Sequence, residues 1–136
     1  MGFDSIIIVI IAGIILYKFG EMFYIKFRGG KFEKLNIAEF REFMKTQKTN
    51  VDFLLIDVRN EPELKIGRIG GSINIPLNQL SPDELRVQRF KDKPIIIYCE
   101  SGSRSKKAAT KLAKKGFTNL YYLAGGHKLW RGDAGL

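Results

Sequence analysis

The sequence predicts an α/β domain built on a mainly parallel β-sheet. Two short runs of apolar, mostly branched residues, VDFLLIDV and PIIIYC, have the composition of strands that are buried on both faces. Helical patterns alternate with these runs, and such alternation is typical of a parallel sheet flanked by helices. With 45% hydrophobic and 27% charged residues, the 136-residue chain can bury a core, and its length suits one domain plus an appendage.

The first predicted helix of the domain follows Asn36, a residue type that caps helix N-termini well. Its sequence, IAEFREFMK, places Ile37 and Phe40 on one face. VDFLLIDV is predicted to be a buried strand that ends at Asp57, and SINIP, residues 72–76, a second, smaller strand.

The stretch SPDE is predicted to start a helix, with Ser81 as cap, Pro82 at the first helical position and Glu84 completing a capping box. PIIIYC is the next buried strand and ends at Cys99. SRSKKAATKLAKKG is an amphipathic helix stopped by Gly116, LYYL is the last strand, and GGHKLW begins a short final helix. Ligands of open parallel sheets bind beyond the carboxyl ends of the strands, where Asp57 and Cys99 both lie.

The chain begins with an unbroken apolar run, IIIVIIAGIIL, at residues 6–16. Eleven helical residues reach only about 16 Å, against about 30 Å of bilayer hydrocarbon. If the helix continues to Ile25 it reaches about twenty residues, and we predict a transmembrane anchor over residues 1–27 that contacts the membrane through residues 6–25. The alternative is a hydrophobic helix that packs against the domain or a partner.

Residues 28–34, which include Gly29 and Gly30, are predicted to be a linker, and residues 35–136 the domain itself. Four cations follow the apolar segment and one acidic residue, Asp4, precedes it. This bias predicts a single-pass membrane protein with its domain on the cytoplasmic side.

The segment CESGSRS, residues 99–105, joins a predicted buried strand to a helix. Gly102 permits the sharp backbone turn that this connection needs. A tight loop before a helix leaves several N–H groups converging on one point, which favours a bound anion and here the thiolate of Cys99. We therefore expect Cys99 to be a nucleophile. Arg104 is the natural guanidinium for an oxyanion, and the serine hydroxyls can cap the helix or touch that anion.

Three segments, DVRNEPELKIGRIGGSINIP, KDKPIIIYCESGSRS and LAGGHKLW, resemble the signature segments of rhodanese domains. The resemblance covers about residues 32–130 and implies a five-stranded parallel sheet and a cysteine that carries sulfane sulfur as a persulfide. It implies that Cys99 is catalytic and that the following loop residues, Glu100, Ser101, Gly102, Ser103 and Arg104, bind the substrate. The supporting residues that it implies are Asp57, Arg59 and Ser105.

The sequence departs from the family pattern at two places. Gly67-Arg68-Ile69 stands where Gly-His-Ile is common, a position that is generally structural. Glu100 places a carboxylate at the rim, where it should weaken a doubly negative donor such as thiosulfate. The one histidine, His127, is expected to serve in packing and helix capping rather than as a base.

The resemblance implies a sulfurtransferase that takes sulfane sulfur from thiosulfate or a related donor onto Cys99 and passes it to a thiophilic acceptor. Two alternatives to this activity remain open. A cysteine phosphatase or arsenate reductase uses a C-x5-R loop, whereas Cys99 to Arg104 is C-x4-R, a smaller ring that suits a persulfide better than a phosphate. The other alternative is a non-catalytic, membrane-tethered binding or sulfide-relay module.

The expected partners are a small anionic sulfur donor and a thiol or protein acceptor, besides the membrane. Net charge is +9, but no basic arm or finger spacing accompanies it, so nucleic acid is not an expected partner. One Cys and one His cannot assemble a zinc site, and neither a metal nor a cofactor is expected.

Overall fold

The computed structural model of the chain describes the backbone of residues 2–28 and 31–133, and the side chains of residues 2–19 and 31–133. Within these residues one sheet contains five strands: β1 Glu33–Leu35, β2 Leu54–Asp57, β3 Ile73–Asn74, β4 Ile95–Tyr98 and β5 Leu120–Leu123. The α-helices are α1 Phe3–Arg28, α2 Ile37–Thr46, α3 Leu85–Gln88, α4 Ser103–Ala113 and α5 Gly126–Asp133. Two short 3-10 helices span Glu61–Ile66 and Leu77–Gln79.

All strand pairs of the sheet are parallel, in the order β1-β5-β4-β2-β3. This confirms the predicted α/β fold with a five-stranded parallel sheet flanked by helices. The central strands β2 and β4 are fully buried, as their apolar composition predicts. Their register pairs Asp57 with Tyr98, so β2 ends level with β4 and the chain turns into the Cys99 loop beside it.

Each face of the sheet carries its own core, because successive strand residues point to opposite sides. On one face Leu54, Ile56, Ile95 and Ile97 pack with the apolar side of α4. On the other face a second cluster is built from strand residues and from α2, and its members are Ile37, Phe40, Phe53, Leu55, Ile69, Ile96, Tyr98 and Leu123. Cys99 belongs to the first cluster, whereas its neighbour Tyr98 points to the second.

The start of α2 is as predicted. The Asn36 side chain accepts a hydrogen bond from the Glu39 N–H at 2.8 Å, and the Glu39 carboxylate accepts one from the Asn36 N–H at 2.9 Å. This reciprocal pair is a capping box. It fixes the point at which the chain leaves the edge strand β1 and enters α2.

The observed elements differ from the predicted pattern at two places. Glu33 and Lys34 belong to β1, so the sheet begins inside the predicted linker 28–34, of which Gly29 and Gly30 lie outside the described residues. The helix predicted from SPDE begins only at Leu85, because the Ser81 hydroxyl accepts from the Asp83 N–H and a turn precedes the helix. Exposed edge strands and isolated turns carry weak sequence patterns, which explains both differences.

Helix α1 is 26 residues long, and its apolar side chains over residues 3–19 are largely exposed. Over the residues that the structure describes, no helix has the length and apolar character that crossing a membrane requires. The predicted single-pass membrane placement, with the domain on the cytoplasmic side, is therefore wrong. The predicted membrane contact through residues 6–25 stays a prediction. The uninterrupted run of residues 6–16 reaches about half of the hydrocarbon thickness, and the charged Lys18 follows it.

Candidate active site

Cys99 is the residue that follows strand β4, and the loop of residues 99–105, the Cys99 loop, leads from it into α4. The cysteine has no exposed surface. Gly102 lies next to the first residue of α4 with φ 108°, in the left-handed region that favours glycine. This turn folds the loop back so that its amides face the sulfur.

The Cys99 sulfur is the acceptor of two backbone N–H groups. The N–H of Gly102 lies 3.1 Å from Sγ and the N–H of Ser105 lies 3.4 Å from it. The Ser105 hydroxyl is 3.6 Å from the same sulfur and donates to the Gly102 carbonyl at 2.9 Å. Two amide dipoles at the start of a helix favour negative charge on the sulfur. The sequence predicted this convergence, and the structure has it.

Helix α5 packs directly on the Cys99 loop. The His127 N–H donates to the Cys99 carbonyl at 2.8 Å, and the Lys128 N–H donates to the Glu100 carbonyl at 3.0 Å. Gly126, with φ 57°, makes the approach possible, because a Cβ there would lie 2.4 Å from the Cys99 carbonyl oxygen. The loop is therefore held between α4 on one side and the first turn of α5 on the other.

Asp57 and Arg59 form a fully buried ion pair beside the loop. The Arg59 guanidinium contacts both carboxylate oxygens of Asp57 and also donates to the carbonyls of Glu63 and Gly67. Burial by itself would lower the pKa of Arg59, but the hydrogen bonds and charge of Asp57 raise it above its ordinary value. Neither side chain has exposed surface, and the pair ties the segment 60–67 to the end of β2.

Arg104, predicted to bind the substrate anion, makes a two-pronged ion pair with Glu63. Its two terminal nitrogens lie 2.7 and 2.6 Å from the two carboxylate oxygens of Glu63. Hydrogen bonding by Arg104 is the main cause that lowers the pKa of Glu63 to about 2. Both side chains are about one-third exposed, so the pair lies at the rim of the site.

The Glu100 side chain turns inward rather than toward the rim. Its Oε1 lies 2.6 Å from Arg131, while its buried Oε2 accepts no hydrogen bond and lies 3.6 Å from Arg59 and 3.7 Å from His127. The Glu100 side chain as a whole is 25% exposed. Arg59 and Arg131 each also place a nitrogen within 3.2 Å of the His127 Nδ1.

His127 is buried among these groups, and burial lowers its pKa below the ordinary value, with Arg59 and Arg131 adding to the effect. Two guanidinium donors at Nδ1 require that this nitrogen be an acceptor. The neutral imidazole therefore carries its proton on Nε2. This agrees with the predicted packing and capping role of His127 and gives it no contact with the sulfur.

The structure brings the residues predicted from the sequence to one end of the sheet. Ser101 and Ser103 are exposed and form the open side of the Cys99 loop, its mouth, whereas Gly102 and Ser105 are buried beneath them. The roles of Glu100, Ser101, Gly102, Ser103 and Arg104 in substrate binding stay predictions. A shallow groove of about 350 Å³ next to the mouth is lined by Ser101, Gly125, Lys128 and Leu129.

Sequence reasoning missed Glu63 and Arg131. Glu63 lies 41 residues from Arg104 in the sequence, and a local sequence pattern does not predict a pair so far apart. Arg131 follows the last predicted segment of the chain and carries no motif. Among the residues that the structure describes, no cluster of three metal-ligating side chains is present.

Comparison with known proteins assigns a family to this arrangement. The sequence profile of the rhodanese-like domain matches residues 36–133. The chain is 37% identical over 130 residues to the uncharacterized protein YqhL of Bacillus subtilis, covering 95% of this chain and 94% of that protein. It is 38% identical over 103 residues to the mouse thiosulfate sulfurtransferase/rhodanese-like domain-containing protein 3, covering 67% and 65% of the two chains.

Other relatives are longer proteins. The chain is 35% identical over 81 residues to the tRNA uridine(34) hydroxylase of Buchnera aphidicola, but it spans only 26% of that enzyme's length. Among solved structures, a rhodanese-related protein from Thermoplasma volcanium superposes with a TM-score of 0.62 at 30% identity, covering 75% of this chain and 93% of the other.

Proposed function

The chain belongs to the rhodanese-like domain family, and from that membership we propose that it is a sulfurtransferase that carries sulfane sulfur on Cys99. The observation that supports the proposal most directly is the pair of N–H groups, from Gly102 and Ser105, that point at the Cys99 sulfur. Such donors stabilise a thiolate before the reaction and the anionic persulfide after it.

In the first half-reaction the Cys99 thiolate attacks the outer sulfur of a donor such as thiosulfate. A sulfur–sulfur bond forms to Cys99, the bond between the outer sulfur and the sulfonate sulfur breaks, and its electron pair leaves with sulfite. In the second half-reaction an acceptor thiolate attacks the terminal sulfur of the persulfide and the Cys99 thiolate departs. No net oxidation or metal is needed, and His127 has no proton to move.

The C-x4-R spacing of the loop also favours sulfur over phosphate as the transferred group. The loop amides converge on the cysteine sulfur itself, at 3.1 and 3.4 Å. These contacts stabilise negative charge on the cysteine sulfur, which is the atom that carries the charge in a persulfide transfer.

The test is the intact mass of the protein after exposure to thiosulfate under non-reducing conditions. We expect the addition of one sulfur atom, followed by its loss on addition of a small thiol. Because Cys99 is the only cysteine, the mass change alone identifies the site. Cys99→Ser is the matched control and should gain no sulfur.

The alternative, a non-catalytic binding or relay module, predicts a different result. In that case wild-type protein and Cys99→Ser would have the same mass after thiosulfate, and neither would release sulfite. That outcome, with a second sulfane donor giving the same negative result, would refute the proposed sulfurtransferase activity.

A further inference from the structure

Glu100 is the residue next to Cys99, and Arg131 is the nearer of the two guanidinium groups that face its carboxylate. Arg131 approaches its Oε1 at 2.6 Å. Arg59 is a full ångström more distant, at 3.6 Å from Oε2, and its guanidinium is already bound to Asp57. The neutral His127 ring lies 3.7 Å away and adds no positive charge. The position of the Glu100 side chain thus depends mainly on Arg131.

Arg131 is suited to this task by its place on α5. The first turn of the same helix is fixed to the backbone of Cys99 and Glu100 by the N–H groups of His127 and Lys128. Its terminal nitrogen also lies 3.1 Å from the His127 Nδ1, so the guanidinium is held from two sides. A rigid helix end therefore presents a fixed positive charge to the flexible carboxylate.

We propose that Arg131 is a positioning residue that sets the donor preference of the site, by holding the Glu100 carboxylate away from the mouth of the Cys99 loop. The inference rests on the proposed function. Without Arg131 the carboxylate would keep only the longer contact with Arg59, and its Oε2 would still accept no hydrogen bond. Because a poorly paired buried charge is unfavourable, the carboxylate would turn toward water. At the mouth it would repel an anionic donor.

The repulsion should scale with the charge of the donor. Thiosulfate carries two negative charges, whereas methanethiosulfonate carries one and presents the same kind of transferable sulfur. A Glu100 carboxylate that has turned into the mouth would lie roughly 7 Å from the donor anion, with water around both charges. At that distance Arg131→Ala should lower kcat/KM about tenfold for thiosulfate and about threefold for methanethiosulfonate. The loss should lie mainly in KM, because the thiolate and its amide donors are unchanged.

The decisive variant is Arg131→Ala combined with Glu100→Gln. Removing the carboxylate charge should restore most of the thiosulfate efficiency that Arg131→Ala loses, and should abolish the difference between the two donors. Lys128→Ala is the matched control, because it removes an exposed cation from the same helix. Its effect should not depend on Glu100→Gln. Thermal unfolding of each variant verifies that the fold is retained.

Equal losses for both donors in Arg131→Ala, or a double variant as weak as Arg131→Ala, would overturn the proposal. If Arg131→Ala fails to fold, Arg131→Gln offers the same comparison with a side chain of similar length. Failure of the proposed function has a different signature, since the wild-type protein would then turn over neither donor.

Discussion

Arg104 and Glu63 show how a residue with a predicted role can be engaged elsewhere. The sequence assigns Arg104 to the donor anion, but its guanidinium is bound through both terminal nitrogens to Glu63. The pair is partly exposed, so its contribution to stability is modest. The pair has a greater effect on the local charge, because Glu63 neutralises the positive charge of Arg104 at the rim of the site.

Neutralising Glu63 should therefore strengthen the binding of an anionic donor. Glu63→Gln keeps an oxygen that can accept from the Asn60 N–H, now at 2.7 Å from the carboxylate, while releasing the charge of Arg104. We expect the KM for thiosulfate to fall about threefold with kcat little changed. Steady-state kinetics measure both.

Glu61→Gln provides the control for this prediction. It removes the same charge from the same 3-10 helix at an exposed position. Its KM should stay near the wild-type value. A fall in KM of equal size in both variants would show that overall charge, rather than release of Arg104, is responsible.

Residues of this site can be predicted from the sequence where their role depends on neighbouring residues in the chain. They cannot be predicted where the role depends on a partner that is distant in the sequence. Cys99, Gly102 and the Asn36 cap are found from their immediate neighbours, because turn and cap geometry depend on a few adjacent residues. The Arg104–Glu63 and Glu100–Arg131 pairs join segments that meet only in the folded chain. The inward direction of Glu100 follows from Arg131 and could not be read from the loop alone.

At the scale of elements, α5 packs backbone to backbone against the Cys99 loop. It depends on Gly126, because any side chain there would overlap the backbone of Cys99 and Glu100. The strand order places β5, which leads into this helix, next to β4, which leads into the loop. The paired Gly125-Gly126 is thus the connection that lets neighbouring strands place a helix against the cysteine.

Gly126→Ala should therefore lower both stability and activity. The new Cβ would force α5 away from the two carbonyls that its N–H groups satisfy, and the residue would have to hold φ 57°. We expect a loss of about 2 kcal/mol in the free energy of unfolding, measured with urea, and a larger than tenfold fall in kcat/KM.

Gly132→Ala, in the last turn of the same helix, is the control for that experiment. A Cβ added at Gly132 would meet no atom within 4 Å, so the free energy of unfolding should stay the same or rise slightly. If Gly126→Ala were as stable and active as Gly132→Ala, the docking of α5 would not support the loop.

At the scale of the whole molecule, the buried polar network couples folding to pH. His127 lies among Arg59, Arg131 and Glu100, and burial together with the two guanidinium groups lowers its pKa in the folded state. The unfolded chain binds a proton at this residue near pH 6.5. The folded chain binds it only at lower pH, so acidification through this window favours unfolding.

We expect the free energy of unfolding to fall as pH is lowered from about 7.5 to about 5.5, with a slope that approaches about 1 kcal/mol per pH unit. Urea denaturation at fixed pH values measures it. His127 is the only histidine, so His127→Asn should flatten the slope in this window. An unchanged slope in that variant would assign the pH dependence to other groups. Glu63 contributes only at lower pH, because its pKa falls from 4.5 to about 2 on folding.

The complete burial of Cys99 has a consequence for its chemistry. A sulfur atom without exposed surface meets a reagent only after the surrounding atoms have moved, so the rate of any attack on it includes the rate of that opening. Hydrogen peroxide and bulky alkylating agents are therefore expected to modify the resting thiol slowly. Enclosure of this kind would protect the resting cysteine from irreversible oxidation between successive turnovers.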